Sequence, residues 1–120
     1  MPMYLDNKRV FLAGATGLAG NSIMRYILEH YPRASVRAAY YKNTKPYFTH
    51  ERVEYVYGEL KSEKECRDIA KGCDCAVMAA ARTTGSGATM IQAYEQANDN
   101  LLMNANMLRA FYLENIRRVV

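Results

Sequence analysis

The sequence predicts an α/β protein: a parallel sheet in strand order 3-2-1-4-5, helices on both faces, with the chain stopping in its fifth strand. Three observations carry this. Strand-like and helix-like segments alternate from end to end, the pattern of parallel strands joined by crossover helices. Residues 75–81, Cys-Ala-Val-Met-Ala-Ala-Ala, are apolar at every position, as a strand covered on both faces must be. An apolar run at residues 10–13 feeds three glycines, Gly14, Gly17 and Gly20, spaced G-x-x-G-x-x-G, and a helical pattern follows at once.

Each glycine in that turn has a distinct physical task. Gly14 lets the chain leave the strand through angles a side chain resists. Gly17, without a Cβ, lets the helix N-terminus approach a pyrophosphate, and Gly20 lets the helix pack closely on the strand. The free N–H groups and positive dipole end of the helix favour a phosphate. A glycine turn that merely joins strand to helix is the plain alternative, but it does not call for three glycines at this spacing.

The remaining elements follow in order. Apolar Leu18, Ile23, Ile27 and Leu28 give helical spacing from Leu18 to about His30, and Pro32 ends that helix. Residues 35–41 read as a second strand, 42–46 as a polar turn, and 52–57 as a third strand ending at Gly58. Ser62 and Glu65 form a capping box that opens a short helix to Lys71, with Gly72 as its stop. The fourth strand is 75–81, followed by a loop at 82–87. A long helix from about Met90 to Glu114 has Ile91, Leu101 and Leu108 as inward candidates and Asn115 as a left-handed cap. Residues 116–120 begin the fifth strand. The whole, 1–120, reads as one Rossmann-type dinucleotide-binding domain.

Composition narrows the function classes. The chain has 120 residues, one domain at most, and half are hydrophobic, enough for a core. The net charge of +4 and pI near 9.0 suit phosphate-bearing ligands. Only Lys8-Arg9 and Arg117-Arg118 adjoin among the basic residues, so no nucleic-acid partner is expected. Three cysteines, Cys66, Cys73 and Cys75, read as buried free thiols in a reducing cytoplasm, and no metal site is expected. The N-terminus lacks the apolar core of an export signal, and no apolar stretch is long enough to span a membrane. No Gly-Lys-Ser/Thr follows the glycine loop, which argues against a nucleoside triphosphatase.

Four stretches together resemble one family. They are the Gly14–Gly20 loop; Gly58-Glu59-Leu60, where the family has Gly-Asp-Leu; Asp74-x-Ala76-x-x-Ala79-Ala80-Ala81; and the run from Asn100 to Ala110, with a second Asn, Asn106, six residues on. The chain is similar over nearly its whole length to the N-terminal part of extended short-chain dehydrogenases/reductases, the NAD(P)-dependent epimerase/dehydratase group. Within it, nucleotide-sugar enzymes of the GDP-fucose synthase type are the nearest in pattern. The resemblance implies that Gly14, Thr16, Gly17 and Leu18 hold the pyrophosphate. It places Glu59 and Leu60 beside the adenine, Ala79, Ala80 and Ala81 along the nicotinamide-side ribose, and Asn100 near that end from the long helix. It also implies a nucleotide-sugar substrate for the full-length protein and a homodimer through the long helix.

Dinucleotide choice turns on the end of the second strand, where an acid selects NAD. Tyr40, Tyr41 and Lys42 stand there instead. Lys42 can pair with a 2′-phosphate, with Arg37 nearby in sequence, which points to NADP; NAD is the alternative, since the tyrosines can stack on adenine without preference.

The family's hydride chemistry needs a Tyr made basic by a Lys four residues on, because a free phenol with a pKa near ~10 is a poor base at neutral pH. Tyr4/Lys8, Tyr41/Lys45 and Tyr57/Lys61 match the spacing, but none follows the fifth strand. No catalytic residue is therefore assigned. The chain is expected to be the N-terminal part of a longer enzyme, inactive alone. The competing reading is a non-catalytic dinucleotide-binding protein, a redox sensor or structural subunit.

Overall fold

A computed structural model describes residues 3–40, 45–81 and 89–120. Its elements are β1 (Arg9–Ala13), α1 (Leu18–His30), β2 (Ser35–Tyr40), β3 (Val53–Tyr57), α2 (Glu63–Ala70), β4 (Cys75–Met78) and α3 (Met90–Leu113). The four strands form one parallel sheet in the order β3-β2-β1-β4. Val119 bridges Ala76 in parallel, with the Val120 N–H donating to the Ala76 carbonyl at 3.0 Å, so the chain's end runs along β4 in the fifth position. The expected order is thus present, but residues 116–120 form a single bridge rather than a strand.

Strand alternation distributes β1 between two cores. Val10 and Leu12 join Met24, Ile27, Val36 and Ala38 on the α1 side. Phe11 and Ala13 join Cys66, Ile69, Met107 and Phe111 on the α2/α3 side, where the Phe11 and Phe111 rings meet edge-on at 5.6 Å. All four of these β1 side chains are buried, which is why β1 reads as a continuous apolar run.

Two arginines tie helix ends to the sheet. Arg52, just before β3, donates to the carbonyls of Leu28 (2.6 Å), Tyr31 (2.8 Å) and Ala34 (2.7 Å) around the end of α1. Arg37 on β2 donates to the Ile69 carbonyl at 3.0 Å and to that of Lys71 at the end of α2, and pairs with Glu54 at 3.0 Å. Cations at these ends satisfy orphan carbonyls and suit the helix dipoles.

The structure corrects several expectations. β4 stops at Met78, not at residue 81, because β1 ends at Ala13 and the Gly14 turn then lies against the Ala79 backbone. Ile91 and Leu101 (each 70% exposed) and Leu108 (55%) do not point inward; Met103, Met107, Ala110 and Phe111 do. Apolar residues lie on both faces of α3, so spacing alone could not choose. Leu18, in the apolar series of α1, is 89% exposed. At α2 the Ser62 hydroxyl accepts the Glu65 N–H as expected, but the Glu65 carboxylate reaches past Ser62 to the Glu59 N–H. Arg37, engaged as above, is not free to meet a 2′-phosphate. Asn115 does adopt the left-handed conformation, at φ 59°.

Candidate functional site

The chain runs β1 to β2 to β3 on one side of the sheet, then crosses to β4 on the other side of β1. Beyond the C-terminal ends of the strands, such a reversal opens a crevice. Here it is a shallow cleft lined by Gly14, Ala39, Tyr40, Gly58, Leu60 and Ala80. Each lining residue lies at or just past the C-terminal end of one of the four strands.

The three glycines behave differently. Gly14 has φ +84°, and a Cβ there would sit 2.6 Å from the Ala79 carbonyl carbon. A Cβ on Gly20 would sit 2.0 Å from the Gly14 carbonyl oxygen. Neither position tolerates a side chain, since the obstructing atoms are backbone. Gly17 has φ −79° and ψ 166°, ordinary extended angles, and a Cβ there would meet only the Gly14 oxygen, at 3.4 Å. The fold has no steric need for glycine at position 17. It is also the N-cap of α1, where it offers the first-turn amides no side-chain acceptor, and no acid lies in that first turn. Gly17, Leu18 and Ala19 are exposed and Thr16 is half-buried.

The other expected residues divide by location. Leu60 is buried in the cleft wall. Glu59 is half-buried, and its carboxylate accepts the Lys61 N–H at 3.0 Å, turning it back into its own loop. Ala80 lines the cleft; Ala79 is half-buried and its N–H donates to the Ala13 carbonyl at 2.9 Å; Ala81 is exposed. Asn100 lies half-buried on α3. Tyr41 and Lys42, and the loop at 82–87, lie outside the described residues. Tyr40 reaches the cleft and tilts toward Tyr57, ring centroids 6.3 Å apart.

Of the Tyr-x-x-x-Lys pairs, Tyr4 and Lys8 precede β1, with the Lys8 ammonium 5.8 Å from the Tyr4 ring centroid. Tyr57 and Lys61 leave β3, the sheet edge farthest from β4, and Lys61 lies 4.0 Å from Asp99. Tyr41, of the third pair, lies outside the described residues. Cys66, Cys73 and Cys75 are free and buried, and burial pushes all three thiols up, Cys66 to about 11 with Glu59, Glu65 and Glu63 adding to the effect. Among the described residues no helix is long and apolar enough to cross a membrane, and no cluster of His, Cys, Asp and Glu could hold a metal.

One residue was not anticipated behind the cleft wall. Asn106 is buried on α3 and donates to the Leu60 carbonyl at 3.0 Å. Its place as the second Asn of the run from Asn100 to Ala110 was the available signal.

Solved structures share this fold. Uronate dehydrogenase from Agrobacterium tumefaciens aligns with a TM-score of 0.73 at 19% identity over 93% of this chain and 39% of its own. WbmH of Bordetella bronchiseptica, solved with NAD+, aligns at 0.75 and 21% over 93% and 37%. Pen from Bacillus thuringiensis aligns at 0.79 and 19% over 98% and 38%. The chain thus spans about two fifths of the length of each. No curated sequence matches it. The model of the NAD dependent epimerase/dehydratase family matches residues 10–120, nearly the entire length, and the chain belongs to that family.

Proposed function

We propose that this chain is the dinucleotide-binding part of an enzyme acting on a nucleotide-linked sugar. The observation that carries the reading is Gly17: a glycine that neither backbone angle nor packing requires, at an uncapped helix start beside the cleft. A side chain there would stand between the α1 amides and an incoming pyrophosphate, and would compete for those amides. In this reading Gly14, Thr16, Gly17 and Leu18 hold the pyrophosphate, Glu59 and Leu60 border the adenine, and Ala79, Ala80, Ala81 and Asn100 flank the nicotinamide-side ribose. Small side chains at 79–81 leave room for a ribose where β4 ends. When bound, the dinucleotide supplies or accepts the hydride. With Arg37 engaged, pairing with a 2′-phosphate falls to Lys42, which favours NADP over NAD, while Tyr41 can stack on the adenine of either.

The chain alone is expected to turn over nothing, since none of its Tyr-x-x-x-Lys pairs follows the fifth strand in sequence. The exposed stripe Met90, Tyr94, Leu101, Leu108 and Tyr112 on α3 recurs at helical spacing and is read as the contact with a second copy of the chain. Buried thiols suit a cytoplasmic setting.

Calorimetric titration of the folded chain with NAD+ and NADP+ tests the reading. Binding of either supports it, and a folded chain that binds neither at millimolar concentration overturns it. Lys42→Ala should weaken NADP+ more than NAD+.

A further inference from the structure

The cleft wall formed by residues 58–60 is held from behind. Gly58 and Leu60 line the cleft, yet this stretch belongs to no strand or helix. Two side chains converge on the Leu60 carbonyl: Asn106 Nδ2 donates at 3.0 Å and Cys66 Sγ at 3.3 Å. Asn106 is 9% exposed and is the buried polar side chain among the described residues. Its helical neighbours Met103, Met107 and Ala110 are all core. A buried amide costs stability unless its hydrogen bonds are made. This one spends its donor on a loop carbonyl 46 residues away, where an apolar side chain would have extended the core. The Cys66 thiol is the weaker donor of the two.

We propose that Asn106 is a positioning residue that sets the 58–60 wall from α3 and, through Leu60, the affinity for the adenosine half of the dinucleotide. This rests on the dinucleotide reading above. Asn106 touches no ligand itself. Its effect is to keep the Leu60 side chain and the backbone on either side of it in one place, so that the adenosine meets a preformed wall.

The test titrates NAD+, AMP and nicotinamide mononucleotide into the full chain and into Asn106→Leu and Asn106→Asp, by saturation-transfer NMR below each melting temperature. Asn106→Leu should weaken NAD+ and AMP by about tenfold and leave nicotinamide mononucleotide unchanged. Asn106→Asp should bind AMP well at pH 6, where a buried carboxyl stays protonated and donates, and lose it toward pH 8 as the carboxylate forms against the Leu60 carbonyl. The unaltered chain should show only the pH dependence of the AMP phosphate itself, whose second ionisation lies at ~6 and adds charge toward pH 8, without the loss of binding. Unchanged AMP affinity in folded Asn106→Leu, or equal loss of both mononucleotides, overturns the proposal. Should Asn106→Leu fail to fold, the pH profile of Asn106→Asp decides: a flat one overturns the proposal. If the unaltered chain binds none of the three ligands, the dinucleotide reading falls and this inference with it.

Discussion

The N-terminus of α1 and that of α3 solve the same problem in opposite ways. α3 opens on Thr89, whose hydroxyl accepts the Gln92 N–H at 3.2 Å while the Thr89 N–H donates to Gln92 Oε1 at 2.7 Å. α2 is closed likewise by Ser62 and carries Glu63 and Glu65 in its first turn. α1 opens on a glycine, with no side-chain cap and no acid. Every helix leaves its first amides without intrahelical partners. Two of the described helices satisfy some of theirs from within, and α1 has no side-chain cap from its N-cap residue. In the reading proposed above, the difference is that the α1 start forgoes a cap in favour of a ligand from outside the chain.

The largest effect that bears on this contrast is expected at Gly20. Gly20→Ala puts a Cβ 2.0 Å from the Gly14 carbonyl oxygen, a backbone atom with nowhere to yield, and should destabilise by about 3 kcal/mol or more. Circular-dichroism melting would show this, and an unchanged melting temperature would mean the α1 start is less tightly set than described. Next comes Gly17→Asp, which separates folding from binding. A Cβ there meets only the Gly14 oxygen, at 3.4 Å, and the carboxylate supplies the missing cap, so the chain should melt no lower than before. Dinucleotide affinity should nevertheless fall by about 100-fold, because a carboxylate then occupies and repels the pyrophosphate position. Retained binding would dissolve the contrast between the helices.

Thr89→Ala is the reverse case. It removes a cap that serves only the helix and should cost about 1 kcal/mol in urea unfolding while leaving dinucleotide affinity alone. The smallest effect concerns the acid-rich start of α2. Burial first, and then Glu59, Glu65 and Glu63, push the Cys66 thiol up to about 11 from its ordinary 9.0. The folded state therefore holds this proton more tightly than the unfolded chain. Its contribution to stability is full below pH 9.0 and is lost as pH rises toward 11. Urea midpoints across that window should decline less steeply in Cys66→Ala than in the unaltered chain.

Much of this was legible in the residues. The alternation of strand and helix, the Gly14 turn, the Ser62 cap and the Asn115 cap each depend on local pattern and backbone angle, which a short window of sequence contains. Thr89 and Gln92 carried a readable capping signal of the same kind, T-x-x-Q, that the linear reading passed over. The inward face of α3 was not legible, because Ile91, Leu101 and Leu108 are as apolar as Met103 and Met107. Only the sheet above and α2 beside the helix decide which set is covered.

By itself, then, the sequence determined the alternation of elements, the parallel sheet, and the glycine-bounded corner where β1 gives way to α1, since local sterics and hydrogen bonding act within a few residues. Tertiary structure alone decided that Arg37 closes α2 instead of awaiting a phosphate, and that Asn106 reaches the Leu60 carbonyl. Of the three glycines, it added that Gly14 too is needed for close packing, since a Cβ there would meet the Ala79 backbone. Those outcomes depend on what lies across space from a residue, and neighbours distant in the chain carry no mark of it in their spacing.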